Sequence, residues 1–299
     1  AGFPTHVKLA PRNPEQIDYV IANGSECEPY ITCDDQLMRT QSNGIVEGMR
    51  LVLRLFPNAR GVIAIEDNKP EAIEAMAHAC EGDANLSVLP VMAKYPEGGE
   101  RSLIGVVTGR QLRFGQLPAD LGCVVCNVST LNAIYRAVCK TEPLIGRLFT
   151  VSGDAVSNPH TLFVRIGTSC SELLKAAGGI KPGSEARKIL CGGPMMGIAM
   201  STLDAPVAKN NNALTVLASD EVELAEQQMT ACLRCGRCGH VCPIGLVPQM
   251  MAEAAERQDY ERYEKKLYGL DCIACGSCTY ICPAKRPRMK LFKQTTAAI

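Results

Sequence analysis

Lys and Arg balance Asp and Glu at 31 each in this chain of 299 residues, and Trp is absent. Neutral charge and few aromatic rings argue against a nucleic-acid binder. No apolar run approaches the ~18 residues that cross a bilayer, and no signal peptide is visible. The expectation is a soluble protein of two or three domains that meets a membrane only through a partner.

The opening AGFPTHVKL reads as the second half of a tight, ligand-holding loop, with residues 5–9 ready to start a helix. Such loops follow a strand, so either the chain begins inside a domain or this is an unusual N-terminus. Strands and helices then alternate. DYVIA (18–22), GVIAIED (61–67), SVLPVMA (87–93) and CVVCNVST (123–130) contain strand runs, while EAIEAMAHACE (71–81) and TLNAIYRAVC (130–139) read as helices. That alternation predicts a parallel α/β sheet with ligands at the strand C-termini and phosphate at helix N-termini. Three loops at those ends, NGSECEP, YPEGGE and CNVST, carry polar residues that could serve a redox cofactor. The dinucleotide fingerprint G-x-G-x-x-G is absent, so an ordinary Rossmann dinucleotide site is not expected.

Residues 147–180 form a compact unit. RLFTVSG and HTLFVRIG are strands around a DAVSNP turn, Ser169-x-x-Glu172 is a capping box, and Gly178-Gly179 can end the helix that follows. A ββα start predicts a β-grasp module used for spacing or docking. DAPVAKNNNALTVL (204–217) carries the chain onward as a linker.

Sixteen cysteines are too many for bland packing. Cys27, Cys33, Cys80, Cys123, Cys126, Cys139, Cys170 and Cys191 are scattered and read as core residues. The other eight fall in CLRCGRCGHVCP (232–243) and CIACGSCTYICP (272–283), both of the form C-x2-C-x2-C-x3-C-P. A secreted disulfide scaffold would be shorter and evenly laced; a reducing cytoplasm and metal ligands suit this pattern better. Three thiolates at this spacing wrap one cubane while the fourth turns to a second. The expected ligand sets are therefore Cys232, Cys235, Cys238 and Cys282 for one [4Fe–4S] cluster, and Cys272, Cys275, Cys278 and Cys242 for the other. Gly236 and Gly276 let backbone N–H groups approach. Zinc would need two Cys pairs per tetrahedral site and leaves Pro243 and Pro283 unexplained. His240 reads as a surface residue. Helix formers before and between the runs predict a mostly helical domain, and the closing PAKRPRMKLFK reads as a solvated basic helix face rather than a dock for an acidic partner.

With these motifs placed, the sequence resembles the C subunit of the Rnf (Rsx) electron transport complex over essentially its whole length. AGFPTHVKL, NGSECEPYITCDDQLMR, GVIAIEDNKPEAI, YPEGGERSLI, LPADLGCVVCNVST and the two cysteine runs carry the resemblance. A remoter similarity is to the FMN- and NADH-binding flavoprotein subunit of respiratory complex I. The resemblance implies a Rossmann-like FMN/NADH domain at 1–142, a β-grasp soluble-ligand-binding domain at 143–204, a linker at 205–220 and a two-cluster domain at 221–299. In the family further glycines and an additional region precede AGFP, so the chain is expected to start within the flavin site. By the same analogy, Gly2, Lys8, Asn23, Glu26, Tyr95, Gly98, Gly99, Glu100, Asn127 and Thr130 form the FMN pocket. Phe3, Glu28 and Glu100 lie where NADH enters. Two positions depart from the complex I pattern: Ser25 replaces an acid, and Pro11 stands where an aromatic stacks adenine. The implied role is a peripheral oxidoreductase subunit on the cytoplasmic face of the bacterial inner membrane. It works with the other Rnf membrane and iron–sulfur subunits and with ferredoxin, in a complex that couples electron exchange to ion translocation. Alternatives are a flavin and iron–sulfur reductase of the same superfamily, such as a microcompartment cobalamin reductase, or a non-catalytic docking module.

Overall fold

The computed structural model describes residues 3–299. The chain folds as two compact units, one ending at Ala218 and one running from Ser219 to Ile299. The first begins with α1 (Thr5–Lys8) and continues through β1 (Tyr19–Gly24), α2 (Cys33–Thr40), α3 (Ser42–Leu53), β2 (Arg60–Glu66), α4 (Pro70–Ala79), β3 (Leu86–Val91), α5 (Glu100–Thr108), β4 (Cys123–Asn127) and α6 (Val128–Cys139). All pairings in this sheet are parallel and the order is β3-β2-β1-β4. The strands are short apolar runs because both faces are covered. Val20, Ala22, Ile63, Ile65 and Val124 pack under α2, α3, α4 and α6. Ile21, Ala64 and Val125 point the other way, against Leu103 and Ile104 of α5. Each such aliphatic side chain contributes about 1.5–3 kcal/mol by leaving water. The order reverses at β1, so a crevice opens between the C-terminal ends of β1 and β4, where ligands of open α/β sheets bind.

A second sheet follows within the same unit. It comprises β5 (Gly146–Ser152), β6 (His160–Arg165), β7 (Lys188–Cys191), β8 (Ile198–Ala199) and β9 (Ala213–Leu217), with α7 (Cys170–Ala176) packed on it. Hairpin β5–β6 and parallel pairing of β5 with β9 give the order β6-β5-β9-β7-β8, a β-grasp arrangement. Ser169 and Glu172 form the expected capping box. One expectation is corrected here. Ala213–Leu217, read as linker, is a buried central strand: ALTVL is a short apolar, β-branched run, and the preceding Asn-rich turn returns it into the sheet.

The second unit contains α8 (Glu221–Gln227), α9 (Arg237–His240), α10 (Pro248–Glu256), a π-helical turn at Arg262–Lys266, α11 (Ser277–Tyr280) and α12 (Arg288–Ala298). Its small core joins Met251, Ala254 and Ala255 of α10 to Tyr263 and Phe292, whose rings lie 6.2 Å apart. The basic stretch is not wholly a solvated face, because Arg288 is buried. Of the scattered cysteines, Cys33, Cys80, Cys123, Cys126 and Cys170 are buried, whereas Cys139 is exposed and is not a core residue.

Candidate functional site

Asn23 is the last but one residue of β1 and pairs with Asn127 at the end of β4, so the sheet itself brings them to the crevice. Asn23 Nδ2 donates to the Gly98 carbonyl at 2.9 Å, and its Oδ1 accepts from Ser25 N–H at 3.0 Å. Asn127 Oδ1 caps α6 through Ser129 N–H at 2.8 Å, and its Nδ2 donates to buried Asp34 at 2.7 Å. Lys8 reaches in from α1, bonding Glu100 at 2.7 Å and the Val125 carbonyl at 2.8 Å. Its ammonium also lies 5.9 Å from the centre of the Phe3 ring. Gly98 is required by close approach: a Cβ there would stand 2.5 Å from the Ser25 carbonyl oxygen. Gly99 caps α5, placing Glu100 in its first turn. Thus Lys8, Asn23, Gly98, Gly99, Glu100 and Asn127 converge; Gly2 lies outside the described residues.

Two cavities flank this group. One of about 500 Å³ is lined by Phe3, Asp34, Ser129, Thr130 and Arg147. The other, about 520 Å³, is lined by Glu26, Cys27, Glu28, Lys69 and Tyr95. Both are of cofactor size. Ser25, Glu97 and Ser102 each bury a side-chain oxygen with no hydrogen-bond partner, a polar demand that a bound ligand could meet. The α6 N-terminus at the first cavity suits a phosphate. The residues present therefore fit a flavin nucleotide.

Glu26, expected in the flavin pocket, and Glu28, expected where NADH enters, line the second cavity but commit their carboxylates to protein N–H groups. The Glu26 carboxylate accepts from Cys33 Sγ–H at 3.3 Å and from the N–H groups of Asp34 and Asp35 at 2.9 and 3.1 Å, so it caps α2. Burial, then the neighbouring Asp34, push Glu26 up to about 7. Burial likewise raises Asp34. Glu28 reaches the β-grasp loop, accepting from Met195 and Met196 N–H at 3.0 and 2.7 Å. Among the described residues, Glu26, Cys33 and Asp34 are the one group close enough for a single metal ion; helix N–H groups already occupy its carboxylate.

In the second unit, the chain reversal after each run sends its last cysteine toward the other run. Cys242 lines one cavity with Cys272, Cys275 and Cys278. Burial and those three thiols push Cys278 up to about 12. Cys232, Cys238 and Cys282 gather about Arg288, whose charge burial opposes and whose contacts with these thiols sustain it. The sets are spread too widely for one ion, as four-iron cubes with a thiolate at each corner require. Gly236 and Gly276 both adopt positive φ, at 76° and 83°, where a side chain would be strained. The residues fit two such cubes. His240 is exposed at the end of α9.

Comparison with known proteins accounts for both regions. Residues 1–136 match the Nuo51 FMN-binding domain, residues 148–199 an SLBB domain and residues 225–289 a 4Fe-4S dicluster domain. The chain is 45% identical over 96% of its length to the C subunit of the proton-translocating ferredoxin:NAD(+) oxidoreductase complex of Clostridium ljungdahlii. It is 42% identical over 88% of its length to the C subunit of the Na(+)-translocating ferredoxin:NAD(+) oxidoreductase complex of Acetobacterium woodii. It is also 42% identical over its full length to the C subunit of the ion-translocating oxidoreductase complex of Haemophilus influenzae. The chain is thus similar to these C subunits over most of its length. It spans 62%, 59% and 45% of those three relatives. Beyond these relatives, it superposes on a chain of an NAD+-reducing [NiFe]-hydrogenase with a TM-score of 0.66 at 20% identity, covering all of this chain and 59% of that one, a likeness of fold.

Within this fold, sequence reasoning missed Asp34, Arg147 and Arg288. Asp34 lay in the quoted CDD, where a short polar run gives no sign of burial. Arg147 opens a strand of the second sheet yet lines a cavity of the first. Arg288 was hidden among other basic residues.

Proposed function

We propose that this chain is the peripheral redox subunit of a membrane-bound, ion-translocating ferredoxin:NAD oxidoreductase complex. It exchanges electrons between NAD(H), FMN and two [4Fe–4S] clusters on the cytoplasmic face of the inner membrane. What supports this reading most is that Cys242 shares a cavity with Cys272, Cys275 and Cys278 while Cys282 lies with Cys232 and Cys238 about Arg288, in the same chain as a strand-end site that suits a flavin nucleotide. No described helix is long and apolar enough to cross a membrane, which accords with a subunit held there by partners.

When bound, the flavin supplies exchange between electron pairs and single electrons, and the clusters supply single-electron relay. The protein's own groups bind and orient. Lys8 offers positive charge at the flavin, held in place by Glu100 and the Val125 carbonyl. Gly98 and Gly99 let the backbone come against the ring, Thr130 and the α6 N-terminus receive phosphate, Tyr95 completes the flavin pocket, and Phe3 and Glu100 stand where NADH enters. Cys232, Cys235, Cys238 and Cys282 hold one cluster; Cys272, Cys275, Cys278 and Cys242 hold the other.

An anaerobic visible spectrum tests the reading. The chain reconstituted with iron, sulfide and FMN should bleach in both flavin and iron–sulfur bands on addition of NADH. Clusters that assemble while FMN washes out and NADH changes nothing would reduce this chain to a relay.

A further inference from the structure

The chain as a whole is neutral, yet residues 227–252 and 272–299, which contain both cysteine runs, carry seven Lys and Arg and no Asp or Glu. In the second unit an open groove of about 510 Å³ gathers five cations: Arg234, Arg257, Arg286, Arg288 and Lys290. Two carboxylates share its wall, and each already holds one cation, Glu253 with Arg257 at 3.1 Å and Glu256 with Arg286 at 2.5 Å. Arg234 and Lys290 are exposed and pair with neither carboxylate. Arg288 is buried, and its Nε has no hydrogen-bond partner. The groove therefore keeps an excess of positive charge that the chain itself does not balance.

Cys232 lines the same groove and is exposed, and Arg288 Nη2 donates to its Sγ at 3.5 Å. A group seated there would touch a ligand of one cluster. Met229, in the groove wall, and Leu233, next in the chain to Cys232, are exposed as well. An apolar centre at the redox group, ringed by charge of one sign, suits a small, transient protein interface steered by electrostatics. A small anion would answer the charges and leave Met229 and Leu233 in water. A carrier protein with Asp and Glu around its own redox group would cover both.

We propose that this groove docks an acidic one-electron carrier protein against Cys232, its carboxylates meeting Arg234, Lys290 and the other cations of the wall. One electron leaves the reduced carrier and reduces the oxidised cluster held by Cys232, Cys235, Cys238 and Cys282, with no bond formed or broken; the reverse transfer balances in the same way. The groove's charge acts on the encounter, raising the association rate in a manner that salt screens. The inference rests on the cluster reading above.

The test is anaerobic stopped-flow mixing of the whole chain, loaded with iron and sulfide, with flavodoxin hydroquinone, an acidic carrier whose one-electron oxidation gives a blue semiquinone. Iron content is measured in parallel. The wild-type rate should fall as salt is raised. Arg257→Glu with Lys290→Glu leaves three cations against four carboxylates in the groove and should slow the reaction by about tenfold or more. Lys265→Glu with Lys266→Glu makes the same change of net charge outside the groove and should slow it by less than about twofold. If the groove pair does not load iron, Arg257→Gln with Lys290→Gln carries the test, with a smaller fall in the same direction. A wild-type rate indifferent to salt, or two Glu pairs that act to the same extent, overturns the groove as the dock. So does loss of binding to anionic phospholipid vesicles in the groove pair with the carrier rate unchanged, which would give the groove to a membrane surface. A wild-type chain that binds no iron overturns the cluster reading instead, and the iron measurement separates the two failures.

Discussion

Glu26 illustrates how one residue's surroundings override its expected role. Its carboxylate is 8% exposed, beside buried Asp34, and spends its lone pairs on the first turn of α2. An unfolded Glu gives up its proton near pH 4.5, whereas the folded one holds it to about 7. Between those values the folded chain binds the extra proton, so stability is greatest below about 4.5 and falls as pH rises through the window. The contribution is on the order of 2 kcal/mol. Urea midpoints followed by circular dichroism from pH 5 to 7 should decline in the wild type. In Glu26→Gln most of that decline should vanish, leaving the part due to Asp34; an unchanged slope would show that Glu26 is already ionised.

At the scale of elements, Glu28 ties the loop after β1 to the Gly192–Gly197 loop after β7. Gly193 permits the contact, since a Cβ there would stand 2.2 Å from Glu28 Oε2. Hydrogen bonds to a charged group are worth roughly 1.5–3 kcal/mol, so Glu28→Ala should speed amide exchange at Met195 and Met196 by about tenfold or more, with β1 unaffected. Unaltered exchange would mean the loop is held by β7 and β8 alone. This clamp also marks the limit of what could be read in the sequence. The four strands of the first sheet were legible because a strand buried on both faces is a continuous apolar run. Helices α2 and α3 were not, since CDDQLMRT and SNGIVEGMRLVL carry polar first turns and glycines that read as loop. β9 was missed because five apolar residues after an Asn-rich turn show no period of their own. The loops NGSECEP, YPEGGE and CNVST stood out because strand ends and close glycines leave local signatures, whereas Lys8, Asn23, Gly98 and Asn127 were named within and beside them only through the resemblance to the complex I flavoprotein. The partners of Glu26 and Glu28 were not, because the first depends on a neighbouring helix and the second on a loop 167 and 168 residues further along the chain.

Across the second unit as a whole, the proposed exchange of cysteines would make two clusters interdependent, and substitution of single thiols and of pairs tests it. Cys242 belongs by sequence to the first run and by position to the second set. If the exchange operates in the loaded protein, Cys242→Ala removes a corner from the cluster of Cys272, Cys275 and Cys278 and leaves the cluster of Cys232 complete. Cys282→Ala does the reverse. Fully loaded chain should carry about eight iron atoms, and each variant should keep about four in one intact cluster. Single variants cannot tell exchange from ligation within each run, because either way one cluster survives. Double variants can. If the exchange holds, Cys242→Ala with Cys272→Ala removes two corners of the same cluster and keeps about four iron atoms, whereas ligation within each run would break both clusters and leave almost none. Cys282→Ala with Cys232→Ala poses the same question from the other side, and both pairs must agree, because each thiolate can close only one cube.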